Sequence, residues 1–280
     1  MKNLNQLIES VVRFLRETQH NDGGWGYTTE NRQSFLEPTS WTLRALAGNS
    51  SASETINRGI KFIKISQNED RGWSNLPGLP SDITTSHVIL ALSTLGLEEN
   101  LANEGIRWLL LHEVRKSGWG WCKGSDGFAE PLSYSILALA STNCLSENER
   151  LIDLLLSYQC HDNGWNCHVP NIHEKFLESQ PALTAISVIA LFNSKINLQN
   201  DILDRVVKRL EEDVRNGNVS TTYTRALVLL AFCKAGRSSS AVSNNLRQAL
   251  FSSADSNGSW QNNILWTAMG CVALDQFMMG

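Results

Sequence analysis

Gln19-His20-Asn21-Asp22-Gly23-Gly24-Trp25 ends one helical stretch, leads into another, and recurs in variants along the 280 residues. The later turns are Gln67 to Gly72-Trp73, Lys116-Ser117-Gly118-Trp119, Gln159 to Gly164-Trp165, a degenerate Asn216-Gly217-Asn218, and Asn257-Gly258-Ser259-Trp260. The turn tryptophans at 25, 73, 119 and 165 are separated by 48, 46 and 46 residues, and the next stands 95 residues on, at 260, two periods later. A fixed period of this length marks one helical hairpin per repeat, none able to bury its apolar face alone. Six repeats follow, roughly 1–48, 49–96, 97–143, 144–194, 195–237 and 238–280, in a single domain spanning 1–280.

Outward from the first turn, the two halves of each repeat differ in chemistry. Before it, Leu4, Leu7, Ile8, Val11, Val12 and Leu15 keep the three/four spacing of one helical face, with Glu9, Arg13, Arg16 and Glu17 elsewhere. After it, Pro38 suits a first helical turn and Gly48 a stop, around Thr39-Ser40-Trp41-Thr42-Leu43-Arg44-Ala45-Leu46-Ala47. The second helices of later repeats carry Val88-Ile89-Leu90-Ala91-Leu92, Ile136-Leu137-Ala138-Leu139 and Val188-Ile189-Ala190-Leu191. A helix apolar on most sides is buried on most sides. Six amphipathic helices outside six apolar ones predict an all-α fold, an (α/α)6 toroid. No unusually polar end repeat argues for an open solenoid. The turn glutamines are expected to accept the buried indole N–H groups.

The bulk composition excludes several function classes. A formal charge of −4 and 42% apolar residues disfavour a nucleic-acid partner. No apolar run is long enough to span a bilayer, and the amino terminus lacks a basic segment followed by an apolar one. A cytoplasmic location is expected, with the six cysteines reduced rather than forming a disulfide scaffold.

The Gln/Trp turns followed by Pro-x-(Ser/Thr)-x-x-x-x-Ala-Leu helices resemble the squalene–hopene cyclase and protein prenyltransferase β-subunit superfamily over nearly the whole chain. The resemblance implies a toroid whose central cavity binds an isoprenoid or other hydrophobic ligand and converts it. It also implies, from the prenyltransferases, a partner subunit. Class II cyclases of this group protonate substrate with an Asp-x-Asp-Asp motif ahead of an inner helix. Aligned on the Ala-Leu pair, the second repeat has Ser81-Asp82-Ile83-Thr84 there, so the acid position is Ile83 and Asp82 falls one residue away, on a different side of the chain. Glu37 and Glu130, each before a proline, occupy the acid position in repeats one and three. The candidate catalytic residues are therefore Glu37, Asp82 and Glu130; carboxylates at helix starts also suit the helix dipole. Trp41, His87 and Tyr134 fall at similar inner-helix positions and are the candidate ligand-binding residues, through cation–π attraction or simple packing.

Cys160, His161, Cys167, His168 and His173 cluster around the fourth turn, and Cys122 stands in the third. Thiolates and imidazoles on neighbouring turns fit a tetrahedral zinc site with one open position. Cys122, Cys160 and His161 form the candidate set, with Cys167 and His168 as alternates to the latter pair. Trp121-Cys122-Lys123-Gly124-Ser125-Asp126-Gly127 and Cys160-His161 also resemble the zinc motifs of lanthionine cyclases. The sequence thus supports three readings: an isoprenoid-converting toroid without the standard acid motif, a zinc-dependent thiol-activating enzyme, and a non-catalytic toroid that binds a ligand or protein.

Overall fold

The computed structural model describes residues 3–145, 148–167, 171–172, 175–194 and 200–279. Among these the amphipathic helices are α1 (Leu4–Glu17), α3 (Ser53–Ile65), α5 (Glu99–Leu111), α7 (Asn148–Ser157), α9 (Asn200–Arg215) and α11 (Ala241–Ser252). They alternate with the apolar α2 (Leu36–Leu46), α4 (Thr84–Leu95), α6 (Ala129–Ser141), α8 (Pro181–Asn193), α10 (Thr222–Lys234) and α12 (Ile264–Met279). A short antiparallel hairpin pairs Asn171 with Phe176 and Ile172 with Lys175.

The even-numbered helices form the inner wall. Each packs on the next, and α12 returns to α2, so the ring closes. Each odd-numbered helix lies outside the inner helix that precedes it, α1 lying against α12. Burial follows: every residue from Thr84 to Leu92 and from Leu183 to Leu191 is buried, whereas α1 buries one face. Small side chains let the inner helices approach, and their hydroxyls pair across the seams: Ser86 with Ser135 at 3.3 Å and Ser133 with Ser187 at 3.1 Å.

The turn tryptophans fasten each outer helix to the following turn. The indole N–H of Trp25, Trp73, Trp119, Trp165 and Trp260 donates to the carbonyl ten residues earlier, that of Leu15, Ile63, Leu109, Leu155 and Leu250, at 2.7–3.0 Å. The acceptor is therefore an orphan carbonyl at the carboxyl end of the outer helix, not the expected glutamine. The glutamines instead donate across the turn, Gln19 to the Gly23 carbonyl at 2.8 Å and Gln159 to that of Asn163 at 2.9 Å. Burying an indole is worth roughly 4–6 kcal/mol at about 25 cal/mol per Å2, against about 1 kcal/mol net for its hydrogen bond. Packing holds the turn, and the hydrogen bond sets its register. Close approach explains Gly23, whose φ is +94° and whose added Cβ would stand 2.3 Å from the Arg58 carbonyl oxygen.

Candidate functional site

The amino-terminal ends of the inner helices meet at one rim of the ring, and a repeated main-chain bond fixes their register. Leu36 N–H donates to the Asn75 carbonyl at 2.8 Å, Ile83 to that of Trp121 at 3.3 Å, and Ile264 to that of Tyr27 at 2.8 Å. Each acceptor stands two residues after a turn tryptophan. Every one of these bonds crosses to the next repeat, and the last closes repeat six onto repeat one. The residues two positions after the tryptophans are thereby held beside the inner-helix starts.

This brings together a pocket of about 280 Å3 lined by Glu37, Asn75, Asp82, Ile83, Thr84, His87, Trp121, Glu130 and Tyr134. The three candidate carboxylates share it. Asp82, expected on a different side of the chain, faces the same space, because its carboxylate caps α4 by accepting from Thr84 N–H at 2.7 Å and from Asn75 N–H at 3.3 Å. The turn of repeat two thus curls over the rim.

Glu37 sits in the first turn of α2, where its own N–H lacks a helical partner and donates to Asn75 Oδ1 at 3.0 Å. Its Oε2 accepts from the Tyr27 hydroxyl at 2.6 Å, which in turn accepts from Asn75 Nδ2 at 2.6 Å. Burial raises the Glu37 pKa; the Tyr27 hydroxyl opposes this and nearby Asp82 adds to it. Burial, with the charge of Glu37, pushes Glu130 up to about 7. Tyr27 favours charge on Glu37, and that charge in turn favours the protonated form of Glu130. Tyr223, on α10, approaches Tyr134 and both carboxyls and is also raised by burial.

The inner-helix aromatics divide between two cavities. His87 stacks on Tyr134 with ring centroids 4.2 Å apart. Burial, with the Arg44 charge, lowers its pKa to about 3, which keeps it neutral. Trp41 lines a second, larger cavity of about 490 Å3 at the opposite end of the ring, where the inner helices terminate. Tyr134 lines both cavities and stands between them. Apolar side chains of Leu90, Leu137, Ile186, Ile189, Leu230 and Val272 form much of the larger one.

The proposed zinc donors lie on the third and fourth turns. Cys122 is exposed on the third turn and Cys160 is buried in the fourth, where burial, with Asp162, raises its thiol to about 11. His161 is exposed, and Cys167 is half-buried beside the Gln180 amide. His168 and His173 lie outside the described residues. Among the described residues no three of His, Cys, Asp and Glu are arranged to hold a metal ion, so the candidate set has no common centre there.

Sequence reading missed Tyr27, Asn75, Trp121 and Arg44. The first three carried a usable signal, since all stand two residues beyond a turn tryptophan. No helix among the described residues is long and apolar enough to cross a membrane.

Residues 1–78 match the family model for the squalene–hopene cyclase C-terminal domain. No curated protein matches the chain in sequence. A protein from Actinoplanes superposes with a TM-score of 0.75 at 15% identity, covering 99% of this chain and 100% of that one. A variant of the type II terpene cyclase MstE from Scytonema, in complex with geranylgeranyl dihydroxybenzoate, has a TM-score of 0.74 at 16% identity, with 99% and 98% covered. An inactive variant of the α-1,6-mannanase GH76A from Salegentibacter, bound to α-1,6-mannotriose, has a TM-score of 0.73 at 10% identity, with 98% of each chain covered. Such identities carry the fold alone. Over its first 78 residues the chain is similar in sequence to the squalene–hopene cyclase C-terminal domain, and over its length it has the α/α toroid fold that type II terpene cyclases share with other enzymes.

Proposed function

We propose that this toroid binds an isoprenoid-like hydrophobic chain in its central cavity and converts it by proton transfer from Glu130. The observation that carries the reading is the interacting pair of half-buried carboxyls in the rim pocket, which Tyr134 divides from the larger, mostly apolar cavity. One is charge-stabilised by Tyr27, and the other is held at a pKa of about 7. A carboxyl that keeps its proton near neutral pH is a competent general acid. Tyr134, His87 and Trp121 present aromatic faces around the place where a cation would form. The Glu130 proton would add to one carbon of an alkene. The cation would be consumed by ring closure, and a proton would return to a carboxylate of the pair, so product and substrate have equal mass. The MstE complex with geranylgeranyl dihydroxybenzoate lends support, as a terpene cyclase of the same fold.

The test is incubation with linear isoprenoid alkenes in D2O, followed by mass spectrometry. An isomeric product carrying solvent deuterium, absent with Glu130→Gln, is the expected result. No isomer from any alkene, or equal conversion by Glu130→Gln, overturns the reading.

A second reading has one observation in its favour. The half-exposed Trp121 (43%) beside three carboxyl groups is also a platform suited to a sugar ring, and the mannanase shares the fold. Release of reducing ends from α-linked oligosaccharides, lost in Glu130→Gln, would favour it over the first. The larger, mostly apolar cavity on the other side of Tyr134 favours the hydrophobic chain.

A further inference from the structure

The carboxyl-terminal mouth of the ring contains hydrogen-bond donors that nothing satisfies. Arg44, in the last turn of α2, lies with its guanidinium 4.0 Å over the Trp41 ring. The buried Arg44 Nε has no hydrogen-bond partner, and neither has Nε1 of Trp41, a residue 2% exposed. Among the described residues no carboxylate forms an ion pair with Arg44. Both side chains line the cavity of about 490 Å3, a volume typical of small-molecule sites. Unpaired buried donors are costly, more so when one carries charge. The carboxyl ends of the inner helices place partial negative charge at this mouth, which favours a cation there but gives Nε no acceptor. Burial lowers Arg44 to about 10, so it remains charged at neutral pH.

We propose that this mouth binds the carboxylate head of an amphiphile whose apolar chain runs down the cavity toward Tyr134, with the terminal guanidinium nitrogens of Arg44 as its donors. Charge decides the class of head group. Arg44 and Lys234 bring two positive charges to the cavity lining and Asp275 one negative. The surplus of one matches a carboxylate, whereas a diphosphate would leave uncompensated negative charge among helix carboxyl ends. A guanidinium also matches a planar carboxylate in geometry. The seven residues from Glu37 to Arg44 span roughly 10 Å along α2. A head at Arg44 therefore places a carbon some distance down the chain, rather than one next to the head, beside the carboxyl pair. The inference names the substrate class for the lumen and rests on the functional reading above.

The test is binding rather than turnover: calorimetric titration of the whole chain with dodecanoic acid, 1-dodecanol and dodecyl phosphate below their micellar concentrations. The acid is expected to bind about tenfold more tightly than the alcohol, the scale of one good charged hydrogen bond. Arg44→Met should abolish that difference. Replacing an uncompensated buried charge by an apolar side chain of similar length should preserve folding. If Arg44→Met does not fold, Arg44→Lys should lower acid binding alone, because it keeps the charge but loses the planar fork. Equal binding of acid and alcohol, or an Arg44 variant with unchanged preference, overturns the proposal. Tighter binding of the phosphate than of the acid overturns the choice of carboxylate. Acid binding without conversion of any alkene leaves this site standing and removes the catalytic reading. Conversion of uncharged alkenes without acid preference does the reverse.

Discussion

The Tyr27 hydroxyl donates to Glu37 Oε2 at 2.6 Å, joining a turn residue of repeat one to the first turn of that repeat's inner helix. Asn75, from repeat two, holds the same hydroxyl at 2.6 Å and caps the Glu37 main chain. Three residues from two repeats thus decide which member of a carboxyl pair carries charge. The tyrosine stabilises the ionised form of Glu37, and that charge helps to keep Glu130 protonated.

Replacing Tyr27 by Phe should therefore shift the pH–activity profile, its acid limb first. Loss of a hydrogen bond to a charged group, worth about 1.5–3 kcal/mol, corresponds to roughly 1–2 pH units. The acid limb, set by ionisation of Glu37, should rise by about that amount, and the alkaline limb should respond to it, because the two carboxyls titrate as a coupled pair. Both limbs unmoved would remove Tyr27 from the site.

Glu130 also makes stability depend on pH. Its folded pKa of about 7 lies above the ordinary 4.5. Below pH 4.5 both folded and unfolded states hold the proton and there is no cost. Between 4.5 and 7 the unfolded chain ionises first, so stability falls as pH rises. The loss is on the order of 2 kcal/mol once partial exposure is allowed for. Thermal melts of Glu130→Gln and the parent at pH 5 and pH 8 should show the variant gaining relative to the parent at the higher pH. A constant difference between them would contradict the raised pKa.

His87 contributes with the opposite sign. Burial, with Arg44, lowers its folded pKa to about 3 from 6.5. Its contribution is complete above pH 6.5 and is lost as pH falls toward 3, because the unfolded chain takes up the proton. His87→Gln should therefore be less acid-sensitive than the parent between pH 6.5 and pH 4, as read from urea midpoints. Equal sensitivity would mean that water or an ion reaches the ring.

The tryptophan staples predict a contrast in stability. Gly105 on α5 packs under Trp73, and an added Cβ would stand 2.9 Å from its Cζ3 and 3.0 Å from Ile89 Cγ1. Gly105→Ala should cost about 1–3 kcal/mol by overpacking. Trp73→Ala should cost about 3–5 kcal/mol. Trp121→Ala, at a half-exposed position, should fall within about 0.5 kcal/mol. Chemical denaturation separates the three, and a Trp121 variant as damaged as the Trp73 variant would show that Trp121 is structural.

The sequence by itself determined the ring. The turn spacing, the charged-then-apolar alternation of helices and the carboxylates before Pro38 and Pro131 are local patterns, and local periodicity dictates which face is buried. Glu37 and Glu130 were legible for the same reason, since helix register alone brings equivalent positions to one rim. Only the tertiary structure decided that Tyr27 and Asn75 reach Glu37, that Asp82 shares the pocket, and that backbone carbonyls take the indole N–H groups. Among the described residues it also left the Arg44 guanidinium without a carboxylate partner. Some of those outcomes depend on contacts between repeats, such as Asn75 with Tyr27, 48 residues away, and others on how each turn folds back on its own repeat. No short-range pattern records which loop curls over a rim or which buried charge goes unanswered, because the closure of the ring itself sets those distances.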